Sequence, residues 1–186
     1  MSGAHIVGGG PAYPGKEALA TGLRLETPRL LLRQFTEADL DALAAMYADP
    51  ETMRYLGDGR TATRAETWRA IAGMLGHWLL RGYGMWAVVE KQTGAMIGRV
   101  GFIDPEGWPG FELGWMIAGS HRGRGYAPEA ATAALHYARQ ALRRERVISL
   151  IRPANAASIR VAEKIGQTHQ GALTLFEQEA LVYATP

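Results

Sequence analysis

At 186 residues the chain can bury one sizeable core and is short for two. It has no cysteine, which excludes a disulfide framework, a thiolate metal site and a cysteine nucleophile, and makes the cytoplasm the simplest location. The formal charge is +2, no apolar run approaches the ~20 residues of a membrane span, and the first residues lack the profile of a secretory signal.

Residues 1–22 hold six of the 23 glycines and two of the nine prolines. They read as a flexible leader or cloning remnant ahead of a single domain over residues 23–186. Within them Ile6-Val7-Gly8-Gly9-Gly10-Pro11-Ala12 imitates a flavin-binding dinucleotide turn, which needs a strand before it and a helix after it. Tyr13 stands where the third glycine belongs and Pro14-Gly15 interrupts any helix, so the imitation fails.

Leu30-Leu31-Leu32, between Arg29 and Arg33, reads as a strand. Thr36 offers a helix cap with Asp39 three residues on, and Leu40, Leu43, Ala44 and Tyr47 form an apolar stripe to about Ala48. Asp49-Pro50 breaks it, and a short helical turn is expected through Tyr55. Residues 63–81 form the next helix, with Trp68, Ile71, Leu75, Trp78 and Leu79 inward and Gly82 and Gly84 as its stop.

Three strand-like runs follow, 85–90, 96–103 and 111–117, joined by Lys91-Gln92-Thr93-Gly94 and Asp104-Pro105-Glu106-Gly107. A helix is expected from Pro128 to about Arg143, a strand over 147–151, and a helix over 155–165 stopped by Gly166. Two short strands, about 168–175 and 179–184, close the chain. The order implies a mixed α/β (α+β) fold: a twisted, mostly antiparallel sheet of about seven strands with helices on both faces.

The chemistry concentrates in Gly114-Trp115-Met116-Ile117-Ala118-Gly119-Ser120-His121-Arg122-Gly123-Arg124-Gly125-Tyr126-Ala127-Pro128-Glu129-Ala130. Here a strand runs through an Arg-Gly-Arg-Gly turn into a helix. Such a turn presents successive backbone N–H groups at a helix N-terminus, where the peptide dipole also favours negative charge, a ready site for a pyrophosphate. Its glycines let the ligand approach the backbone without a Cβ in the way. A Walker loop is excluded because no Gly-Lys-Ser/Thr follows, and a dinucleotide fingerprint because Pro128 occupies its third glycine. A Gly-x-Gly turn alone also fits a tight loop, so the argument rests on a second segment.

That segment is Asn155-Ala156-Ala157-Ser158-Ile159-Arg160-Val161-Ala162-Glu163-Lys164-Ile165-Gly166. Asn155 is a good helix cap and Gly166 a good stop, which by itself explains both. Charge ties the two segments together. Residues 116–164 carry nine basic side chains and three acidic ones, a local +6 against −4 over the remaining 137 residues. Such a field favours an anionic ligand.

Together the segments resemble the GNAT N-acetyltransferase superfamily, closest to the branch acting on N-terminal amines of ribosomal proteins. Arg122-x-x-Gly125-x-Ala127 fits its acyl-coenzyme A motif, and Asn155-x-x-Ser158 through Lys164-Ile165-Gly166 the branch's second signature. Glu26-Thr27-Pro28-Arg29-Leu30-Leu31-Leu32-Arg33 looks like its first strand, so the resemblance covers roughly 24–184.

The resemblance implies a GNAT-like sheet whose fourth strand, 111–117, and fifth, 147–151, splay apart around acetyl-coenzyme A, used as co-substrate without a metal. By resemblance, the backbone of Met116 and Ile117 pairs with the pantetheine arm, and Arg122, Gly123, Arg124, Gly125, Tyr126 and Ala127 hold the pyrophosphate. Asn155 touches the pantetheine, and Arg160 and Lys164 are phosphate partners on charge and position. The implied mechanism is direct attack of a primary amine on the thioester.

Such an amine must lose a proton at a pKa near ~10. Glu112 is the candidate base, sharing a strand face with Gly114 and Met116. It needs a water relay or a raised pKa, and an ion pair with an arginine across the sheet would explain it equally well. Many family members carry Tyr where this chain has Ala162, and Ser158 is the candidate hydrogen-bond donor to the leaving sulfur, with Tyr126 and Tyr183 as further hydroxyls. His121 and Gln167 also depart from the common pattern. Tyr55, Trp78, Tyr83 and Trp86 fall in segments that usually wall the acceptor site, although core packing accounts for aromatics as well.

The acceptor reads as a small-molecule amine or a protein N-terminus, with no nucleic acid or membrane partner and with a homodimer left open. Two other classes compete: a non-catalytic acyl-coenzyme A sensor, and a nucleic-acid binder using the arginines of 139–146, which lack the interleaved aromatics that base stacking needs.

Overall fold

A computed structural model describes residues 23–186; the glycine-rich leader, with its dinucleotide-like residues 6–12, lies outside the described residues. Among the described residues eight strands form one sheet in the order β1-β2-β3-β4-β5-β6-β8-β7. They are β1 (Leu25–Glu26), β2 (Leu30–Arg33), β3 (Met85–Glu90), β4 (Met96–Ile103), β5 (Glu112–Ile117), β6 (Ile148–Ile151), β7 (Thr168–Leu175) and β8 (Gln178–Ala184). The helices are α1 (Leu40–Ala48), α2 (Pro50–Met53), α3 (Arg64–Arg81), α4 (Tyr126–Gln140) and α5 (Ala156–Lys164). None among the described residues is long and apolar enough to cross a membrane.

The eighth strand is the two-residue β1, folded onto β2 by the turn in which Thr27 N–H donates to the Leu30 carbonyl at 2.9 Å. All pairings are antiparallel except β5 with β6.

Residues opposite one another on adjacent strands share a face, and the two faces bury different partners. Leu30, Leu32, Trp86, Val88, Val100, Phe102 and Leu113 pack against Ala130, Ala131, Ala134 and Ala138 of α4, whose small side chains let the helix lie close to the sheet. The opposite face, with Met85, Ala87 and Met116, is covered by Leu40, Leu43 and Tyr47 of α1 and Ile71 of α3. Helices therefore sit on both faces.

Trp68, expected inward on the helix over 63–81, is half exposed, and among the boundaries that differ from the sequence reading two bear on the site. Helix α4 begins at Tyr126, two residues before Pro128, after Gly125 in the left-handed region at φ 80°. Proline is tolerated at the third helical position because first-turn N–H groups have no intrahelical acceptor. The first turn of the Thr36-capped helix is 3₁₀ over Glu37–Asp39, where the Asp39 carboxylate accepts from Thr36 N–H and ion-pairs with Arg33 at 2.7 Å.

Candidate active site

β5 and β6 are in register at one position only, Glu112 with Ile148, and then diverge. Beyond that point the Ser149 hydroxyl donates to the Leu113 carbonyl at 2.8 Å in place of a main-chain ladder. The parting strands open a cleft with two chambers that share Tyr55, Leu56, Trp115, Asn155 and Ser158.

The first chamber, about 330 Å³, lies between the end of β5, the start of α4 and α5. Met116, Ile117, Arg122, Gly123, Gly125, Tyr126, Ala127, Asn155, Ser158, Arg160 and Lys164, each named on sequence grounds, all line it. Gly123 and Gly125 adopt φ 77° and 80°, conformations costly to any residue with a Cβ. They turn the chain so that α4 points its N-terminus at the chamber, which fits a pyrophosphate.

Arg124 does not line the chamber: its guanidinium donates to the Ser120 carbonyl at 3.2 Å, and its own carbonyl accepts from Arg29. Arg122 lines it but is spent on the protein, donating to the Ile117 carbonyl at 3.2 Å and the Thr52 hydroxyl at 2.8 Å. Thr52 in turn donates to Asp49, the cap of α2, so Arg122 ties α2 to the loop. Arg160 and Lys164 remain as solvent-facing cations at the chamber's edge.

Pairing parity corrects the reading of β5. The carbonyls of Leu113 and Ile117 face β6 and the cleft, since they accept from Ser149 and Arg122. Main-chain groups alternate along a strand, so Trp115 and Ile117 turn theirs toward the cleft and Met116 turns its own toward β4. The main-chain groups that this edge offers to the cleft are therefore those of Trp115 and Ile117, and Met116 offers none.

The second chamber, about 260 Å³, continues past Ser158 to Glu112. Glu112 is 8 % exposed, and burial pushes its carboxyl up to about 7 against the hydrogen bonds and charge that favour ionisation. Those are the Trp108 indole N–H, donating at 2.7 Å, then the Leu150 N–H, then the positive charge of Arg99. Its side-chain hydrogen-bond partner is thus an indole and not an arginine. Ser158 sits where the chambers meet, its N–H donating to Asn155 Oδ1 at 3.1 Å as the α5 cap and its hydroxyl without a hydrogen bond among the described residues. Asn155 is therefore cap and cleft wall at once.

Neither other tyrosine reaches this junction. The Tyr126 hydroxyl donates to Glu90, and that bond, followed by burial, raises its pKa and keeps it protonated. Tyr183 is buried against Ile151 and Ala162.

Of the four aromatics expected to wall the acceptor, Tyr55 lines both chambers, and Trp78, Tyr83 and Trp86 line neither. Trp78 and Trp86 are wholly buried, packed edge to face with centroids 5.0 Å apart, and the Trp78 indole donates to the Met85 carbonyl at 2.9 Å. Tyr83 lies edge-on to Phe111 at 4.9 Å. The reason is strand parity: Trp86 faces α4, and its neighbour Met85 faces the chamber. Trp108, Met85, Arg99 and Phe176 complete the chamber and were not singled out from sequence. Each comes from a different segment, so no local spacing signalled them.

A family model described as an acetyltransferase (GNAT) domain matches residues 29–168. The chain is 33 % identical over 168 residues to the Bacillus subtilis protein YkkB, covering 86 % of this chain and 94 % of that one. An acetyltransferase structure from Agrobacterium tumefaciens is similar at TM-score 0.79 and 34 % identity, covering 88 % of this chain and 94 % of the other. RimL, a ribosomal alpha-N-protein acetyltransferase solved in complex with coenzyme A, shares the fold at TM-score 0.72 and 23 % identity, over 87 % of this chain and 97 % of its own.

Proposed function

The chain belongs to the GNAT acetyltransferase family and is an acyl-coenzyme A-dependent acetyltransferase, and we propose that it acetylates a primary amine by direct transfer, with Glu112 as base. One observation carries this reading: a buried carboxyl with a pKa of about 7 shares a continuous cleft with a free serine hydroxyl and a glycine-built anion cradle.

Acetyl-coenzyme A supplies an activated acetyl thioester. The chamber at α4 fits its diphosphate, because φ-positive glycines and first-turn N–H groups of Tyr126 and Ala127 face a field already basic. Trp115 and Ile117 align the pantetheine arm and aim the thioester at the junction of the chambers. A carboxyl titrating near 7 is about half ionised at neutral pH, so it takes one proton from the incoming ammonium as attack on the thioester proceeds, and the second nitrogen proton goes to the departing sulfur, which leaves as the thiol. A main-chain N–H of β5 offers a donor where negative charge develops on the thioester oxygen. Ser158, placed at the junction, donates a hydrogen bond to the departing sulfur.

The acceptor is a small amine or a protein N-terminus, and the cytoplasm, where acyl-coenzyme A is abundant, is the place of action. The test is thiol release from acetyl-coenzyme A against a panel of amines, amino acids and N-terminal peptides. Release confined to amine-containing tubes supports the reading; tight coenzyme binding with no release in any tube refutes it.

A further inference from the structure

Resting on the amine-acetylating reading, the second chamber carries a more specific inference about what it accepts. Its floor lies on the face shared by β3, β4 and β5, where three register rows follow one another: Arg99 opposite Met116, Gly101 opposite Gly114, and Ile103 opposite Glu112. The middle row has no side chain on either strand, and only Met85 from β3 reaches over it, its methyl 3.3 Å from where a Gly114 Cβ would be. Two charged side chains therefore stand at opposite ends of an apolar floor. Their rows are four strand residues apart, about 13 Å of backbone, close enough that the Arg99 charge acts on the Glu112 carboxyl.

The two ends carry opposite charges and do not neutralise each other. No ion pair within 4.0 Å involves Arg99 or Glu112 among the described residues. Glu112 is held by Trp108. Arg99 is short of acceptors: its Nε is buried without a partner, its Nη1 reaches only the Met85 thioether at 3.6 Å, and its guanidinium lies 5.8 Å from the Tyr47 ring centre. Thioether and ring are weak partners for a cation that ordinarily takes a carboxylate in two parallel bonds.

The chamber's other arginine makes the contrast. Arg152 donates to the carbonyls of Leu175, Glu179 and Gly57 at 2.9 to 3.3 Å, so its charge staples loops together and is not offered to a ligand. At about 260 Å³ the chamber holds the volume of about nine waters, which suits a molecule of amino-acid size. The outer wall is apolar, with Trp108 and Phe176 side by side at 6.1 Å between ring centres.

We propose that the acceptor is a free amino acid with an apolar side chain: Arg99 binds its carboxylate, Glu112 receives its amine, and Trp108 and Phe176 flank its side chain. A uniform grip on the carboxylate acts on substrate binding, and so on KM more than on kcat.

The test uses the full-length protein, saturating acetyl-coenzyme A and thiol release, with matched acceptors: L-leucine, L-phenylalanine, their amides, the amines lacking the carboxyl carbon, the aminophosphonate analogues and leucine-initiated peptides. The expected result is a kcat/KM for the amino acid at least ~10-fold above its amide and its bare amine, as a charge-assisted pair contributes. Arg99→Met should lower kcat/KM for the amino acid about 10- to 100-fold, mainly through KM, and bring the amino-acid-to-amide ratio close to one. Arg99→Lys should restore part of that ratio. Turnover of amides or bare amines equal to that of amino acids overturns this inference and leaves amine acetylation standing. So does a peptide or an aminophosphonate as the best acceptor, or an unchanged ratio in Arg99→Met. If Arg99→Met does not fold, the wild-type panel and Arg99→Lys decide. No release with any amine, despite coenzyme binding, defeats amine acetylation itself and this inference with it.

Discussion

Replacing Glu112 by Gln should damage activity and improve stability at once, and the pH dependence of each effect separates the base from a merely structural carboxyl. Burial raises the Glu112 pKa from 4.5 to about 7. Each unit corresponds to about 1.36 kcal/mol, so the ionised group costs the folded state roughly 3 kcal/mol relative to the protonated one. Because the folded-state pKa is the higher one, the native protein has the benefit of the neutral carboxyl in full below pH 4.5. That benefit is lost progressively as pH rises through 7.

Glutamine cannot ionise and escapes the loss. It still accepts the Trp108 N–H, but its amide NH₂ opposes the Leu150 N–H, which offsets part of the gain. The net expectation is a variant about 1–2 kcal/mol more stable than wild type at pH 8, and no more stable at pH 4.5. Thermal or urea denaturation at the two pH values reads this directly. In thiol release, kcat/KM should fall about 10²- to 10⁴-fold, and the wild-type rise in rate through pH 7 should disappear. A variant that keeps more than a tenth of the activity, or that is equally or less stable at pH 8, refutes the assignment of Glu112 as a buried base.

The remaining expectations probe its surroundings. In Trp108→Phe the largest hydrogen bond favouring the Glu112 carboxylate is gone, so the pH-rate profile should move to higher pH, with kcat at pH 9 recovering toward wild type. Gly125→Ala places a Cβ at φ 80° beside Arg29, costing about 1–2 kcal/mol; calorimetric titration should show coenzyme A affinity weakened about tenfold. Gly84→Ala puts a Cβ 2.6 Å from Trp78 Cδ1 in the packed aromatic core, and denaturation should show a loss of about 1–3 kcal/mol.

The chamber at the start of α4 was legible because its determinants are local. A glycine takes positive φ and an asparagine caps a helix wherever they stand, so Arg122 to Ala127 and Asn155 to Lys164 announce their geometry within a few residues. What those segments did not announce is where the Arg122 and Arg124 side chains go, and the reason is non-local. Their guanidiniums find acceptors on Thr52, Ile117 and Ser120, and charge alone does not reveal a cation already spoken for.

The chamber around Glu112 was not legible in the same way. Every residue of Met85–Glu90 is buried, so the strand has no polar alternation, and nothing in its sequence says that Met85 and not Trp86 faces the cleft. Backbone parity on β5, which excludes Met116 from main-chain contact with a ligand, follows from which neighbour each carbonyl meets.

By itself, then, the sequence determined the family, the order of elements and the glycine turn ahead of α4, and it singled out Glu112, all carried by short contiguous patterns. Only the tertiary structure decided what surrounds that carboxyl. Trp108, Arg99, Phe176 and Ser158 lie on separate elements and meet because β5 and β6 part after one register pair, and no property of one segment encodes where two strands diverge.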